Sequence, residues 1–355
     1  MNKAFWKNKK VLITGNTGFK GSWLSRILLN ACADVYGYAL PNECQKSIFN
    51  AIDLEKEVKC CYGDICDEEK LGNFIAECKP DVVFHLAAQP IVRLSYEIPV
   101  ETYKTNVLGT AVLLNSLRKS QSVKAIVNVT TDKVYENNDK NSFFSERDRL
   151  GGYDPYSNSK ACSELVTSSF VSSFFNPEEY GKTHSTAIAT ARAGNVIGGG
   201  DFAPDRLVPD LIRAYEKGEA VVLRNPNSVR PWQNVLEPLS LYIELAQRLY
   251  EKGTQYNGAY NIGPRKEDCL SVIEVIKKFS SYIPLKFEIS SNAVKAPHEA
   301  KLLTLNSQKA YDMLGFKDKW DIDSNIEYTA LWYKKQIENE NMKQVTDDII
   351  STYFG

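Results

Sequence analysis

A threonine, an acid and a base stand side by side where a predicted strand ends. Thr131, Asp132 and Lys133 follow the apolar run 125–129 in the stretch NVTTDKVYEN. A carboxyl group can give up a proton and a neutral amine can take one, so the last two could act on a bound molecule. The alternative is an ion pair in a surface turn. However, neighbouring strand residues point to opposite faces, and an exposed pair would add at most about 1 kcal/mol.

A tyrosine and a lysine four residues apart form a second reactive pair. Tyr156 and Lys160 follow Pro155 at the start of a predicted helix, where proline is tolerated, and their spacing places both on one face. An ammonium group beside a phenol favours the phenolate and lowers its pKa from ~10 towards neutrality. Tyr156 could then remove a proton from an alcohol as a hydride departs.

Three glycines between a strand and a helix predict a nucleotide-binding turn. Gly15, Gly18 and Gly21 would let the backbone approach a pyrophosphate at a helix N-terminus. The acid that usually holds the ribose about 20 residues later is missing, and no arginine is placed for a 2′-phosphate. We therefore predict NAD rather than NADP. Asp64 is a candidate contact for the adenine amino group, and a solvated carboxylate at a strand end is its alternative interpretation.

The predicted cofactor contacts extend from this turn to the tyrosine–lysine pair. The full set is Gly15, Thr17, Gly18, Phe19, Gly21, Asp64, Ile65, Leu86, Ala87, Ala88, Thr105, Tyr156 and Lys160.

The elements that position these residues alternate along the chain. Apolar strands are predicted at 10–14, 35–40, 58–62, 81–86 and 125–129, and long helices at about 99–119 and 155–175. This alternation predicts an α/β fold with a doubly wound parallel (Rossmann-type) sheet and a smaller mixed C-terminal substrate lobe. We assign residues 1–190 to an NAD-binding domain, with a returning segment near 232–262. Residues 191–355 then form mainly an interleaved substrate-binding lobe.

The composition excludes several other classes of protein. The 355 residues are 43% hydrophobic with a formal net charge of −1, which gives no reason to expect a nucleic acid or an anionic membrane as partner. The eight cysteines include no Cys-x-x-Cys pair and there are three histidines, so we expect no metal site. Without a signal peptide or an apolar run of membrane-spanning length, we expect a cytoplasmic protein with reduced thiols.

The glycine turn, Thr131 and the tyrosine–lysine pair together resemble the extended short-chain dehydrogenase/reductase superfamily, the enzymes that modify nucleotide sugars. Within it, six segments resemble the CDP-glucose 4,6-dehydratase family: TGNTGFKGSWLS, FHLAAQPIVRLSY, VTTDKVYEN, GGYDPYSNSKACSELV, ARAGNVIGGGD and RNPNSVRPWQNVLEPLS. The similarity is dense from about residue 9 to 265 and thinner beyond. The tyrosine–lysine motif is superfamily-wide, whereas Asp-Lys after the threonine and RPWQNVLEPLS are much more specific.

The resemblance implies a redox-neutral dehydration of CDP-D-glucose to CDP-4-keto-6-deoxy-D-glucose with NAD as a bound catalyst. A hydride leaves C4 for NAD while Tyr156 takes the hydroxyl proton and Thr131 shares its hydrogen bond. A base then removes the C5 proton, an acid protonates the departing 6-hydroxyl, and the hydride returns to C6. By motif position Asp132 is the acid and Lys133 the C5 base. A water or another side chain is the alternative base, with Lys133 then positioning the 6-hydroxyl.

A nucleotide diphosphate also needs cations, and guanidinium groups fit phosphate oxygens in pairs. By resemblance Arg230 binds the pyrophosphate and Asn195 contacts the diphosphate, while Gln89 and Arg93 could reach the sugar. Each arginine could equally be a surface or structural residue. The predicted substrate contacts are Gln89, Arg93, Arg192, Asn195, Arg206, Arg224 and Arg230.

Two other functions stay open at this point. One is another nucleotide-sugar 4,6-dehydratase or a 4-epimerase on the same scaffold, and the Asp132-Lys133 pair argues against the epimerase. The other is a non-catalytic NAD-binding regulator, which would have no need of the catalytic tyrosine. By resemblance the helices at 99–119 and 155–175 pair across a homodimer or homotetramer, and the product serves dideoxysugar synthesis for a bacterial surface polysaccharide, the O-antigen of lipopolysaccharide.

Overall fold

The structure is a computed structural model that describes residues 1–137, 143–223, 226–265, 268–289 and 303–355. Its strands are β1 (Lys10–Thr14), β2 (Asp34–Ala39), β3 (Lys59–Tyr62), β4 (Val82–His85), β5 (Ala125–Thr131), β6 (Phe143–Phe144), β7 (Ala187–Ala193), β8 (Val196–Ile197), β9 (Val221–Leu223), β10 (Val229–Pro231), β11 (Gln233–Asn234), β12 (Gly258–Ile262), β13 (Cys269–Ser271), β14 (Phe287–Ile289) and β15 (Thr304–Leu305).

The helices alternate with these strands. They are α1 (Lys3–Trp6), α2 (Phe19–Leu29), α3 (Ile48–Ala51), α4 (Glu68–Cys78), α5 (Val92–Glu97), α6 (Pro99–Tyr103), α7 (Gly109–Leu117), α8 (Pro155–Phe174), α9 (Leu207–Lys217), α10 (Leu236–Lys252), α11 (Val272–Ser280), α12 (Gln308–Leu314), α13 (Ile322–Ile337) and α14 (Met342–Phe354). A π-helical turn at Lys104–Leu108 joins α6 to α7, and short 3-10 turns occur at Leu54–Lys56, Asp132–Val134, Pro177–Glu179 and Gly253–Tyr256.

Seven of the strands form one parallel sheet in the order β12-β7-β5-β4-β1-β2-β3. The order reverses between β1 and β4, and open sheets of this kind bind ligands in the crevice at such a point. The predicted Rossmann-type fold is confirmed, and the strands expected in the first 130 residues are all present. The strand predicted at 125–129 runs on to Thr131.

Apolar helices cover both faces of this sheet, which explains why its central strands are buried throughout. One core cluster joins the sheet to α2 and α10 through side chains such as Trp23 and Leu239. A second cluster joins the other face to α4 and α7 through Leu71 and Leu113. The result is a three-layer arrangement in which only the ends of the strands are open to a ligand.

Outside the large sheet, the later part of the chain contains short strand pairs together with helices α9 and α11 to α14. β9 pairs with β14 and β8 with β11 in parallel, whereas β10 pairs with β13 in the antiparallel sense. β12 and α10, by contrast, belong to the large sheet and its covering layer. Segments from the second half of the chain therefore contribute to both parts of the fold.

The helix α14 is fastened to α2 and α10 by polar contacts. Arg26 Nε of α2 lies 2.6 Å from Asp347 Oδ1, and Asn30 Nδ2 donates to the same oxygen at 2.7 Å. Arg26 also reaches Glu57, with 3.0 Å between Nη1 and Oε2. At the other end of α14, the Tyr353 hydroxyl donates to Glu237 Oε2 of α10 at 2.7 Å. The contacts of Arg26 and Asn30 thus connect α2, the helix that follows the glycine turn, to α14.

Candidate active site

A cavity of about 890 Å³ opens at the carboxyl ends of the large sheet. Its walls come from the turn between β1 and α2, the ends of β4 and β5, the first turns of α8, and the segment from Ala193 to Asp210. Strand β9 and residues 228–232 close it on the side of the short strand pairs. The cavity therefore lies between the sheet and the later part of the chain.

The glycine turn forms one wall and fits a dinucleotide. Gly15 has a φ of +74°, and a Cβ there would lie 2.8 Å from the backbone nitrogen of Ala87. A Cβ on Gly21 would lie 2.2 Å from the carbonyl oxygen of Gly15, so the turn closes only with glycine at both positions. Helix α2 begins after Gly18 without a side-chain cap, which leaves its first N–H groups available to a phosphate.

The structure brings every predicted cofactor contact to this cavity. The lining includes Gly15, Thr17, Gly18, Phe19, Gly21, Asp64, Ile65, Leu86, Ala87, Ala88, Thr105, Tyr156 and Lys160. Asp64 is exposed at the edge, where its carboxylate accepts a hydrogen bond from the Cys66 nitrogen. The residues present thus fit NAD, and their individual contacts with it stay predictions.

Strand β5 ends at Thr131, and the next three residues form a 3-10 turn. The Thr131 hydroxyl donates to Asp132 Oδ1 at 2.9 Å, and Lys133 Nζ lies 3.8 Å from the same oxygen. Because the strand ends at Thr131, Asp132 and Lys133 do not point to opposite faces of a continuing strand, and the predicted geometric obstacle to their ion pair is absent. The pair does not lie in a surface turn, since both residues line the cavity and the Asp132 side chain is 6% exposed.

Tyr156 and Lys160 are both buried on the first two turns of α8. The Lys160 Nζ donates to the carbonyl oxygen of Val129 at 2.9 Å. Burial raises the pKa of Tyr156, whereas the charge of Lys133 and a hydrogen bond with Thr131 lower it. The expectation that Lys160 draws the phenol pKa towards neutrality is wrong for this arrangement, because its ammonium is directed at the strand carbonyl and burial dominates.

Burial also lowers the pKa of Lys160, to about 8, against the opposing charge of Glu164. Glu164 stands one helical turn beyond Lys160 on α8. The carboxylate that opposes the effect of burial on Lys160 is therefore part of the same helix.

Arg192 does not reach the cavity, so its assignment as a substrate contact is corrected. It lies in β7 with 4% exposure, and its guanidinium pairs with Glu164, with 2.8 Å between Nε and Oε1. Its Nη1 also donates to the Tyr135 hydroxyl at 2.8 Å. The Arg192 guanidinium therefore has its ion-pair and hydrogen-bond partners inside the fold.

Gln89 is likewise absent from the cavity lining. Its Nε2 donates to Thr102 Oγ1 at 2.9 Å, and its Oε1 accepts a hydrogen bond from the Ile91 nitrogen at 2.6 Å. The side chain thus shapes the turn before α5, and the prediction that it contacts the sugar is not supported by its position. Arg224 lies outside the described residues.

The other predicted substrate contacts do line the cavity: Arg93, Asn195, Arg206 and Arg230. Arg93 Nη1 lies 2.6 Å from Asp205 Oδ1, and both side chains are 41% exposed. Arg206 Nη1 lies 2.7 Å from Asp201 Oδ2, whose carboxylate is buried. Two guanidinium groups therefore stand at the cavity wall with carboxylate partners already in place.

Lys20 is a cavity residue that the sequence analysis missed. It follows Phe19 in the first turn of α2, and its Nζ lies 3.4 Å from the Tyr242 hydroxyl of α10. The signal was its position between Gly18 and Gly21, where a first-turn helical side chain stands next to a ligand-binding turn.

Within the described ranges, no group of three or more His, Cys, Asp or Glu residues is arranged to hold a metal ion. Over the same ranges, no helix has the length and apolar character that a membrane crossing requires.

Comparisons with known proteins place the chain among nucleotide-sugar enzymes. The family model described as GDP-mannose 4,6 dehydratase matches residues 12–329. CDP-glucose 4,6-dehydratase of Salmonella typhimurium is 47% identical over 355 residues, which cover 100% of this chain and 99% of that protein. dTDP-glucose 4,6-dehydratase 1 of Escherichia coli is 27% identical over 361 residues, with 91% and 92% covered.

Solved structures show the same fold at lower identity. The dTDP-glucose 4,6-dehydratase of Bacillus anthracis in complex with NAD has a TM-score of 0.75 at 22% identity, covering 93% of this chain and 98% of that one. A UDP-glucose 4-epimerase of Stenotrophomonas maltophila with bound NAD has a TM-score of 0.78 at 20% identity, covering 94% and 100%. The match of the family model over residues 12–329 and the 47% identity to the Salmonella typhimurium protein over the whole chain show that the chain belongs to the nucleotide-sugar 4,6-dehydratase family.

Proposed function

We propose that this protein dehydrates CDP-D-glucose to CDP-4-keto-6-deoxy-D-glucose. The observation that carries the proposal is that Asp132 and Lys133 face the same cavity as Thr131, Tyr156 and Lys160. An acid and a base are thereby added to the tyrosine–lysine pair, and elimination of water needs both. The Salmonella typhimurium CDP-glucose 4,6-dehydratase, at 47% identity over the whole chain, supports CDP-glucose as the substrate.

Tyr156 removes the proton of the sugar 4-hydroxyl in this proposal, and Thr131 shares the hydrogen bond. Both are buried, so the proton moves in a site from which water is largely excluded. NAD, when bound, supplies the chemistry of accepting a hydride from the sugar and returning it later. The glycine turn and the residues around Asp64, Leu86 and Thr105 would hold it.

Lys133 removes the C5 proton and Asp132 protonates the departing 6-hydroxyl. Their side chains lie 3.8 Å apart (Nζ to Oδ1), so they can reach C5 of the sugar ring and the hydroxyl on the adjacent exocyclic carbon C6. Asp132 also accepts the Thr131 hydroxyl at 2.9 Å, which fixes its carboxyl group. A proton held by the Asp132 carboxyl is thus close to the group that leaves.

In this proposal, cationic side chains of the later segments bind the pyrophosphate of the substrate. Arg206 and Arg230 line the cavity with Asn195, and guanidinium groups suit phosphate oxygens. Arg93 lines the same cavity and pairs with Asp205, the residue before Arg206. Residues 191–355 therefore act mainly as a substrate-binding lobe, whereas 1–190 and the segment near 232–262 form the NAD-binding domain.

The proposal extends to assembly and location. Apolar side chains are exposed along the helices expected to pair, among them Val100 (76%), Leu108 (51%) and Leu165 (59%). Covering them in a homodimer or homotetramer would remove an exposed apolar surface from water.

All eight cysteines are free thiols, which agrees with a cytoplasmic enzyme. The product of this enzyme would enter dideoxysugar synthesis.

A dehydratase for another nucleotide is the second candidate, because dTDP-glucose 4,6-dehydratase 1 of Escherichia coli is 27% identical to this chain over 361 residues. The test incubates the full chain and NAD with CDP-, dTDP-, UDP- and GDP-glucose, and Tyr156→Phe serves as the control. We expect alkaline absorbance of a 4-ketone from CDP-glucose without net NADH. A ketone from dTDP-glucose alone overturns the substrate, and stoichiometric NADH overturns the dehydration.

A further inference from the structure

His85 belongs to a chain of buried polar side chains that joins β1 to the helix α8. It is the last residue of β4 and pairs with Thr14, the last residue of β1, at the point where the strand order reverses. Its Nδ1 lies 2.7 Å from Thr14 Oγ1, and its Nε2 lies 3.1 Å from Thr110 Oγ1 of α7. Both ring nitrogens are therefore engaged, and all three side chains are buried.

The chain continues from Thr110 into α8 and β5. Thr110 Oγ1 lies 2.9 Å from Ser163 Oγ, which also accepts a hydrogen bond from Asn128 Nδ2 of β5 at 3.1 Å. Ser163 follows Lys160 by three positions on α8, so the two side chains are neighbours on one helix face. Side-chain contacts thus run from the strand before the glycine turn to the helix that carries Tyr156 and Lys160.

The direction of each hydrogen bond follows from the groups at its ends. The Asn106 carbonyl oxygen can only accept, so Thr110 donates its one hydroxyl proton there, at 2.7 Å. Thr110 must then accept from His85, which requires a proton on Nε2. Burial lowers the pKa of His85 to about 3, with a smaller effect from the charge of Lys160, so the ring carries no second proton. Nδ1 is consequently the acceptor for the Thr14 hydroxyl.

The Thr14 hydroxyl links this chain to the cavity wall. Its oxygen accepts hydrogen bonds from the backbone nitrogens of Leu86 and Ala87, each at 3.2 Å, which leaves its proton for His85. Leu86 and Ala87 line the cavity, and the glycine turn packs closely on them, since a Cβ on Gly15 would lie 2.8 Å from the Ala87 nitrogen. The placement of this wall therefore depends on the acceptor that His85 provides.

We propose that His85 is a positioning residue, a neutral imidazole with its proton on Nε2 that holds the glycine-turn wall and the helix α8 in fixed relation. His85 is not among the described residues that line the cavity, so it acts through Thr14 and Thr110. The inference rests on the proposed function, because hydride transfer needs Tyr156 and the cofactor to be placed together. A misplacement of about 1 Å in such a site lowers the rate by on the order of 10²-fold.

The first test determines which ring nitrogen carries the proton, and it needs no substrate. The full chain is prepared with isotope-labelled histidine, and solid-state nitrogen NMR distinguishes protonated from unprotonated ring nitrogens. The sequence contains three histidines, and the signals of His85 are those lost in His85→Gln. We expect Nε2 to be protonated and Nδ1 to be unprotonated from about pH 5 to 8, the range in which an unperturbed histidine titrates.

The second test compares kcat with KM for CDP-glucose in the presence of NAD. His85→Phe keeps a planar ring without nitrogens, and we expect kcat to fall on the order of 10- to 100-fold with KM close to the wild-type value. His85→Gln offers one acceptor and one donor and should recover most of the rate. His184→Phe is the matched control, because His184 also engages both ring nitrogens, with Asn176 and Thr186, away from the cavity lining. We expect wild-type kinetics in this control.

Three results overturn the proposal. A proton on Nδ1, or a ring that titrates between about pH 5 and 8, contradicts the tautomer. An unchanged kcat in His85→Phe, or an equal loss in His184→Phe, contradicts the positioning role, and so does a change confined to KM. If His85→Phe does not fold, Thr14→Val breaks the chain at its other end with the same expected loss, and Thr14→Ser restores the rate. A wild-type protein that makes no 4-ketone refutes the proposed function and leaves the NMR result standing.

Discussion

Arg192 and Glu164 form a bidentate ion pair inside the fold, and Glu164 lies one helical turn beyond Lys160 on α8. Arg192 Nε lies 2.8 Å from Glu164 Oε1, and Nη2 lies 3.0 Å from Oε2. The hydroxyl groups of Thr130 and Thr190 donate hydrogen bonds to the same carboxylate, at 2.5 and 2.7 Å. The carboxylate that faces Lys160 is thereby held in one position and largely neutralised.

Replacing Arg192 should therefore affect stability and not substrate affinity. Arg192→Met leaves the Glu164 carboxylate buried without its cation, and we expect the free energy of unfolding to fall by about 3–5 kcal/mol. Chemical denaturation of the variant measures this loss. The double variant Arg192→Met/Glu164→Gln should recover part of the lost stability. A large rise in KM for the nucleotide sugar with unchanged stability would restore Arg192 as a substrate contact.

The pH profile of the enzyme should depend on Thr131. Its hydrogen bond lowers the pKa of Tyr156 against the effect of burial, and the tyrosine acts as a base only when it is deprotonated. Thr131→Val removes that bond, so the acidic limb of kcat/KM should move to higher pH. Thr131→Ser keeps the hydroxyl and serves as the control. An unchanged acidic limb in Thr131→Val would exclude this role.

Lys133 should matter more for proton loss from C5 than for oxidation at C4. We expect Lys133→Met to slow exchange of the C5 proton with solvent by about 10²–10⁴-fold. Cofactor reduction, seen at 340 nm in a single turnover, should slow less. Because removing Lys133 also raises the pKa of Tyr156, both rates are compared with the wild type over a range of pH. Wild-type exchange in the variant would remove Lys133 from the role of base, and Asp132→Asn is the companion variant for the acid.

The ion pair between Arg93 and Asp205 should compete with the substrate. Both side chains are 41% exposed, so the pair itself contributes at most about 1 kcal/mol to stability. Asp205→Asn frees the guanidinium, and asparagine tolerates the positive φ of 58° at this position. We expect a lower KM for CDP-glucose in Asp205→Asn and a higher one in Arg93→Ala, from initial rates with unchanged melting temperatures. Equal KM values for CDP-glucose in the two variants would show that Arg93 does not bind the substrate.

The sequence predicts the large sheet well because its signals are local. A buried parallel strand is an apolar run in any context, and a glycine turn between strand and helix depends on neighbouring residues only. Local sequence signals also predict that Thr131 lies at the end of a strand. They predict as well that Tyr156 and Lys160 lie on one face of a helix. The cavity lining follows from these elements, since carboxyl ends of parallel strands meet at one edge.

Contacts between distant segments could not be predicted in this way. Arg192 looks like a phosphate ligand in a loop-rich segment, but it sits in β7 and meets Glu164, 28 positions earlier. Lys20 meets Tyr242, 222 positions later. The direction of the Lys160 ammonium depends on the carbonyl of Val129 in another element. Each of these depends on how packed elements face one another, which periodicity does not encode.

The polar contacts between α2 and α14 have a consequence for the order in which the fold is completed. Asn30 and Asp347, which share a hydrogen bond, are 317 positions apart. At about 5–20 residues per second, synthesis takes roughly 15–60 s to pass from one to the other. During that interval α2 lacks the Asp347 carboxylate, to which Arg26 and Asn30 donate hydrogen bonds. The packing around helix α2 is therefore completed by a helix that is made late in translation.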